Sequence, residues 1–580
     1  MKIGDAEYTA QKNRKKWIRF ALQAGFLLLL LGVGTRGWFE RPIYTTPSAP
    51  IAGDNGFVAI SYLGVNRTEG RGRISSEQLK EHLQALHAAG FVTIAQKDIQ
   101  DYYQKGKLLP ERSLFLMFED TRKDTAIFSH ESLAALNYKA TLFGYAEKID
   151  KKDDRFLSSE DLKRLEESSF WEMGVAGYRL AYINIYDKNG FYRGEMEYPE
   201  IMKNRQEIGL AYNHYLMDYL RDKDGIPKED YNSMKERISR DYRSMRETYR
   251  EKLGYVPDAY ALMHANTGRF GTNDQVSAVN DQWIHTLFKM NFNREGLCLN
   301  QKNRSAYDLT RMEPQPHWFV NHLLMRVHDE TKKEISFVAG DERRYKAWEV
   351  LQGALEIKDE AAVLTSSSYS KGLARLKNSD DFEDGSVNVS LQGNFMGLQR
   401  FYLRANAAMQ QYVSVYILNN VLYVTERIAG KEKELLRREL SWKNPSSGGS
   451  LAARIGGFFG LAQGVSTAFG EVTDRTPSKH QLEFVLENTK LRITVDGNPE
   501  ESVSLSSAQG GSILLESAWG DYGAKEPNLR DPVYDGVFEQ IVIKNAKGKG
   551  EVFYDGRLHG LDGARFWLKK EGAALVRLFI

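Results

Sequence analysis

What the chain lacks narrows the choices first. It carries one cysteine, Cys298, in 580 residues. That excludes an intramolecular disulfide and any cysteine-based zinc site, although it selects no cellular compartment. It also lacks an excess of charge of either sign: 79 Lys+Arg stand against 77 Asp+Glu, a formal net charge of +2. With no basic stripe in the sequence, there is no electrostatic footprint for nucleic acid. Only one long apolar run is present, which excludes a polytopic membrane protein. Hydrophobic residues at 42%, charged residues at 27% and aromatics at 12% describe an ordinary globular chain rather than a fibre or a disordered one. At ~100–200 residues per domain the length predicts two to four domains.

The apolar run lies near the N-terminus. Lys12–Arg19 form a basic cluster, and Phe20–Gly34 hold no charge. Trp17 and Trp38 flank the run as aromatics do at a membrane interface. Fifteen uncharged residues fall short of the ~20 that a spanning helix needs, but the stretch to Trp38 suffices if Arg19 and Arg36 snorkel. The expected layout is a cytoplasmic basic tail over 1–19, a signal anchor over 20–38 and an extracytoplasmic remainder. A cleaved signal peptide has the same layout, with Gly32-Val33-Gly34 as its best, poor cleavage site.

Residues 39–55, rich in Pro, Ser and Thr, read as a linker. Strands and helices then alternate. Phe57–Leu63, Phe91–Ile94, Leu114–Phe118 and Lys139–Phe143 are apolar strand-type runs. Ser75-Ser76-Glu77-Gln78 is a capping-box sequence before Leu79, Leu83 and Leu86 on one helical face. This βαβα order predicts a parallel sheet, doubly wound or closed as a barrel. Glu229–Leu253, dense in opposite charges three and four apart, predicts a solvated helix. A highly charged stretch, Lys371–Asp384, marks a boundary. Beyond it the period becomes two, with Tyr412–Leu418, Asn419-Asn420 and Val421–Arg427 predicting a hairpin. Many short strands over 385–580 imply a β-sandwich. Ser450–Gly470, with Arg454 its only charge, reads as a loop or short helix over the sandwich edge, the alternative being a contact with the membrane, a partner or a polymer chain.

In parallel α/β folds, chemistry gathers at the C-terminal ends of strands. The run Leu114–Phe118 delivers two adjacent carboxylates there, Glu119 and Asp120. Such a pair can divide the roles of general base and ligand, or merely cap the next helix.

These residues carry a resemblance. FVAISYLGV, SSEQLKEHLQALHAAGFVTI, SLFLMFEDTRKD and NYKATLF resemble the first half of the polysaccharide deacetylase (NodB-homology, carbohydrate esterase 4) domain. The resemblance implies an irregular (β/α) barrel over 56–345, a connecting segment over 346–384 and the sandwich over 385–580. It places Glu119 at the catalytic base and Asp120 at a metal ligand, with Thr121 in place of a glycine. The histidine-bearing motif aligns with Trp171–Leu180 and puts Ala176 and Leu180 where the two metal-binding histidines belong; neither side chain binds metal. A rival alignment, Glu207-Ile208-Gly209 to His214, keeps one histidine. The later motifs survive only in outline, as Gly254-Tyr255-Val256-Pro257, then His264 and Asn266, then Asn321-His322.

A divalent ion, zinc, is therefore expected only if Asp120, His214, His264 and His322 rebuild a site; otherwise no cofactor is expected. Arg122, Tyr178, Arg179, His214, His264, Asn266 and His322 are candidate pocket residues. A calcium-loop-like Asp187-Lys188-Asn189-Gly190 fails at Ile185 and Met196. QYVSVYILNNVLYVTER, HQLEFVLENTKLRITVDG and YDGVFEQIVIKN resemble concanavalin (laminin-G-like) sandwiches, in which Tyr402, Tyr416, Tyr423 and Trp519 would either stack on sugars or form core. The expected partners are polysaccharide, the membrane through the N-terminal helix, and polysaccharide-synthesis proteins. Three functions remain open. One is glycan binding without hydrolysis, in exopolysaccharide or cell-wall glycan biosynthesis. The second is an active deacetylase with a rearranged metal site. The third is a glycosidase pairing Glu119 with a second acid such as Glu172.

Overall fold

The computed structural model describes residues 42–51, 53–67, 73–151, 153–204, 207–209, 212–262, 271–441, 477–520, 531–546 and 551–579. The basic tail, the apolar run over 20–38 and Ser450–Gly470 lie outside them. Among the described residues, no helix is long and apolar enough to cross a membrane.

Among the described residues the first sheet has nine strands, and seven parallel ones run through it in sequence order: β1 (Phe57–Tyr62), β2 (Ser113–Phe118), β3 (Ala140–Tyr145), β4 (Trp171–Gly177), β5 (Ala259–Ala261), β6 (Met290–Glu295) and β7 (Leu309–Arg311). Just past β7 the ring closes. Met312 bridges Ile60, with Ser61 N donating to Met312 O at 2.9 Å and Met312 N to Ala59 O at 3.0 Å. All six residues of β1 and of β2 are buried. That explains their unbroken apolar sequences: a barrel buries one face inside and the other under helices. The period of two sends Phe57, Ala59, Phe115, Met117, Phe143 and Leu309 into a single interior cluster. Phe115 stacks on Phe292 across it at 5.3 Å.

Helix α1 (Ser76–Ala88) starts where the capping sequence predicts, with Ser75 Oγ accepting from Gln78 N. Helix α2 (Gln96–Lys105) contributes Ile99 and Tyr102 to the interior cluster, beside the first residues of β1 and β2. It therefore plugs the N-terminal end of the barrel. Helix α3 (Lys123–Leu136) follows β2. Helix α4 (Tyr231–Leu253) departs from the expected solvated helix. Met234, Ile238, Tyr242, Met245 and Tyr249, spaced three and four apart, form a buried face.

Among the described residues, two antiparallel sheets of seven and eight strands make the sandwich. Its core includes Phe401, Val415, Phe484, Leu515, Phe538 and Ile543. The sandwich begins earlier than expected. Residues 346–384, anticipated as a connecting segment, supply Trp348–Gln352 and Lys371–Leu376 to one sheet, and Ala354–Lys358 and Ala361–Thr365 to the other. The predicted hairpin is present, with Asn419 (φ 51°) and Asn420 (φ 62°) turning it in the left-handed region that Asn tolerates. Helix α5 (Val320–Thr331) lies beside the sandwich, and the chain closes with helix α6 (Gly560–Phe579).

Candidate functional site at the barrel mouth

Inward alternation continues to the C-terminal rim. It carries Ser61 on β1, Glu119 after β2, Tyr145 on β3 and Arg311 on β7 toward one another. Ser61 Oγ donates to Glu119 Oε1 at 2.7 Å. Arg311 Nε donates to the same oxygen, and Arg311 Nη2 to Glu119 Oε2 at 3.1 Å, which makes the pair bidentate. Both side chains have 0% exposure. Arg311 Nη2 also donates to Glu295 Oε1 at 3.1 Å and lies 3.6 Å from Glu313 Oε1. One guanidinium nitrogen thus faces three carboxylates. Burial, with Glu295 and Glu119 close by, pushes the Glu313 carboxyl well above its ordinary range. The Tyr145 phenol is also pushed well up, by burial first.

Asp120 turns away from this cluster. Its carboxylate lies 3.2 Å from Arg73 Nε and accepts from Arg122 N (3.1 Å) and Thr125 Oγ1 (3.4 Å) at the start of α3. Burial raises it to about 6, although Arg73 and Arg122 oppose the shift. A side chain at Gly64 would meet Asp120 Oδ2 at 2.7 Å, so glycine there is what lets the β1 loop pass over the carboxylate. The Arg122 guanidinium lies over the Phe156 ring.

The other expected pocket residues go elsewhere. Ala176 is buried in the barrel interior, and Leu180 packs against Tyr182 and Ile185. Arg179 sits over the Tyr215 ring at 4.1 Å and pairs with Glu195 and Glu197. Tyr178 packs beside the helical layer and gives its carbonyl to Glu147 N. His214 is buried, and its Nδ1 accepts from Leu216 N at 3.2 Å. His264 and Asn266 lie outside the described residues. His322 belongs to the contact between barrel and sandwich, not to the mouth. Its Nδ1 meets Asp535 at 2.8 Å, its Nε2 meets Asp531 at 2.9 Å, and its ring stacks on Trp318 at 4.3 Å. Glu172 is corrected too. Its Oε2 accepts from Gln96 N at the start of α2, at the opposite end of the barrel from Glu119. Asp187 closes its own loop by accepting from Asn189 N and Phe191 N.

A zinc ion of the kind the sequence resemblance implies does not fit these residues. Ala176 and Leu180 offer no donor, both His322 nitrogens face sandwich carboxylates, and Asp120 is held by Arg73 and α3. Among the described residues, no three His, Cys, Asp or Glu side chains are grouped to hold a metal. Sequence reading missed Arg311, Glu295 and Glu313. The available signal was related to the one that found Glu119, charged residues at the C-terminal ends of strands, in MNFNRE and LTRME.

No protein-family model matches the chain, and no curated protein matches it. Among solved structures, it is similar to a de-N-acetylase from Aggregatibacter actinomycetemcomitans at 15% identity, over 45% of this chain and 96% of that one, with a TM-score of 0.35. It is similar to IcaB from Ammonifex degensii at 15% identity, over 48% and 98%, with a TM-score of 0.35. It is also similar to the carbohydrate binding module CBM66 from Bacillus subtilis at 11% identity, over 34% and 93%, with a TM-score of 0.23. Likenesses at this level do not bear on what the site does.

Proposed function

We propose that this is a membrane-anchored, extracytoplasmic glycan-binding protein of exopolysaccharide or cell-wall glycan biosynthesis. In this reading its deacetylase-like barrel positions polymer without metal-dependent hydrolysis, beside a concanavalin-like sandwich. The observation that carries it is the bidentate Arg311–Glu119 pair. At the position the sequence resemblance gives to the catalytic base, the carboxylate is fully covered and bound by an internal cation. A base must reach the proton it removes. The apolar run over 20–38 supports the anchor, and polysaccharide-synthesis proteins are the partners such a scaffold would join.

A second reading has its own observation. Glu313 is driven toward the protonated form while Glu295 hydrogen-bonds Arg311 on the same nitrogen. A carboxyl held protonated beside a second acid is what a glycosidase needs. Incubation of the whole protein with acetylated and deacetylated polysaccharides separates the readings. Polymer binding with neither acetate nor new reducing ends is expected. Reducing ends lost in Glu313→Gln would establish the glycosidase, and acetate lost in Asp120→Asn would establish the deacetylase.

A further inference from the structure

Helix α6 is built inside out. At 3.6 residues per turn, Leu561, Ala564 and Leu568 fall on one face, with Trp567 beside them. In a helix packed on its own protein this face turns inward. Here it faces solvent: Leu561 is 77% exposed, Trp567 52% and Leu568 63%. The side nearer the protein carries the half-buried Gly563 and Phe566, and Lys569 at its edge pairs with Glu77 Oε1 of α1 at 2.5 Å. Over Gly560–Phe579 there are four basic residues (Arg565, Lys569, Lys570 and Arg577) against Asp562 and Glu571, in a chain otherwise close to neutral.

We infer that the Leu561–Trp567–Leu568 face of α6 lies on an anionic lipid surface as an interfacial helix, a second membrane contact separate from the N-terminal run. Three features select lipid over a protein partner. The basic excess complements anionic headgroups, and a tryptophan flanks the apolar stripe, as in helices that rest in the headgroup layer. The stripe lies on a single exposed helix, a convex surface that a bilayer accommodates directly and that a protein partner would have to meet with a groove.

The test uses the full chain. Cys298 is completely buried, with its thiol pushed well up, so an introduced cysteine can be labelled selectively. Ala564→Cys carries an environment-sensitive fluorophore on the apolar face, and Asp562→Cys carries it on the polar face as control. The labelled proteins are reconstituted in phosphatidylcholine vesicles with and without phosphatidylglycerol. The expected result is blue-shifted emission and several-fold protection from aqueous iodide for the label at 564 alone, and only with phosphatidylglycerol. Adding Trp567→Ser and Leu568→Ser should remove that protection while the N-terminal anchor still holds the protein on the vesicles. Equal quenching at 564 under all conditions would overturn the inference. Protection as strong in vesicles of phosphatidylcholine alone would also overturn it, because an anionic surface would then not be what covers the face.

Discussion

At the residue scale, Arg311 decides how the barrel mouth is read. A guanidinium and a carboxylate have both left water at this point, and each is tolerable only because the other is there. Arg311→Met is therefore expected to destabilise the protein by about 3–5 kcal/mol in urea unfolding, because it strands Glu119. The double variant Glu119→Gln/Arg311→Met should recover much of that loss. A single variant as stable as the parent would show that the pair is not what holds the mouth. None of this was local in the sequence: Arg311 and Glu119 are 192 residues apart, and only closure of the barrel brings β7 beside β1 and β2. Glu119 itself was legible, because it ends an apolar strand where parallel folds gather functional groups.

At the element scale, readability follows how many faces an element buries. Strands β1, β2 and β3 stood out because both faces are apolar. Lys371–Leu376 did not, because its inward positions are Gly372, Ala374 and Leu376, and the two small residues hide the alternation. The boundary was therefore drawn too late. The sequence of helix α4 reads as solvated because its charges outnumber the six apolar residues it buries. Ile238→Ala should cost about 2–5 kcal/mol by the loss of packed volume. Glu236→Ala, two residues away on the exposed side, should leave the urea midpoint unchanged. Equal effects would mean that the helix does not pack as described.

At the scale of the whole molecule, barrel and sandwich meet around a buried charge cluster. His322 lies between Asp531 and Asp535, Arg326 Nη1 reaches Asp531 at 3.2 Å, and Thr365 Oγ1 holds Asp535 at 2.7 Å. The two carboxylates outweigh burial and raise His322 to about 9 from 6.5. Paired with it, Asp531 falls to about 2 from 3.8. A raised histidine stabilises fully below its unfolded value and loses that contribution as pH climbs through its folded one. The difference in melting temperature between parent and His322→Asn should thus shrink as pH rises from about 6.5 to about 9. Below pH 3.8 the Asp531 contribution should fade in turn. A difference that stays constant from pH 6 to 10 would show that His322 is not charged in the fold. The sequence offered His322 as a metal ligand, and nothing local distinguished that from a tie between domains.

The central claim is that the mouth is held by Arg311 and its carboxylates, and the metal-free reading proposed above rests on it. Calorimetric titration of the whole protein with zinc, run beside Asp120→Asn, tests it most directly. The account predicts no stoichiometric binding that depends on Asp120, with glycan binding unchanged by chelator. One zinc per chain, abolished in Asp120→Asn and accompanied by acetate release in the parent, would contradict it.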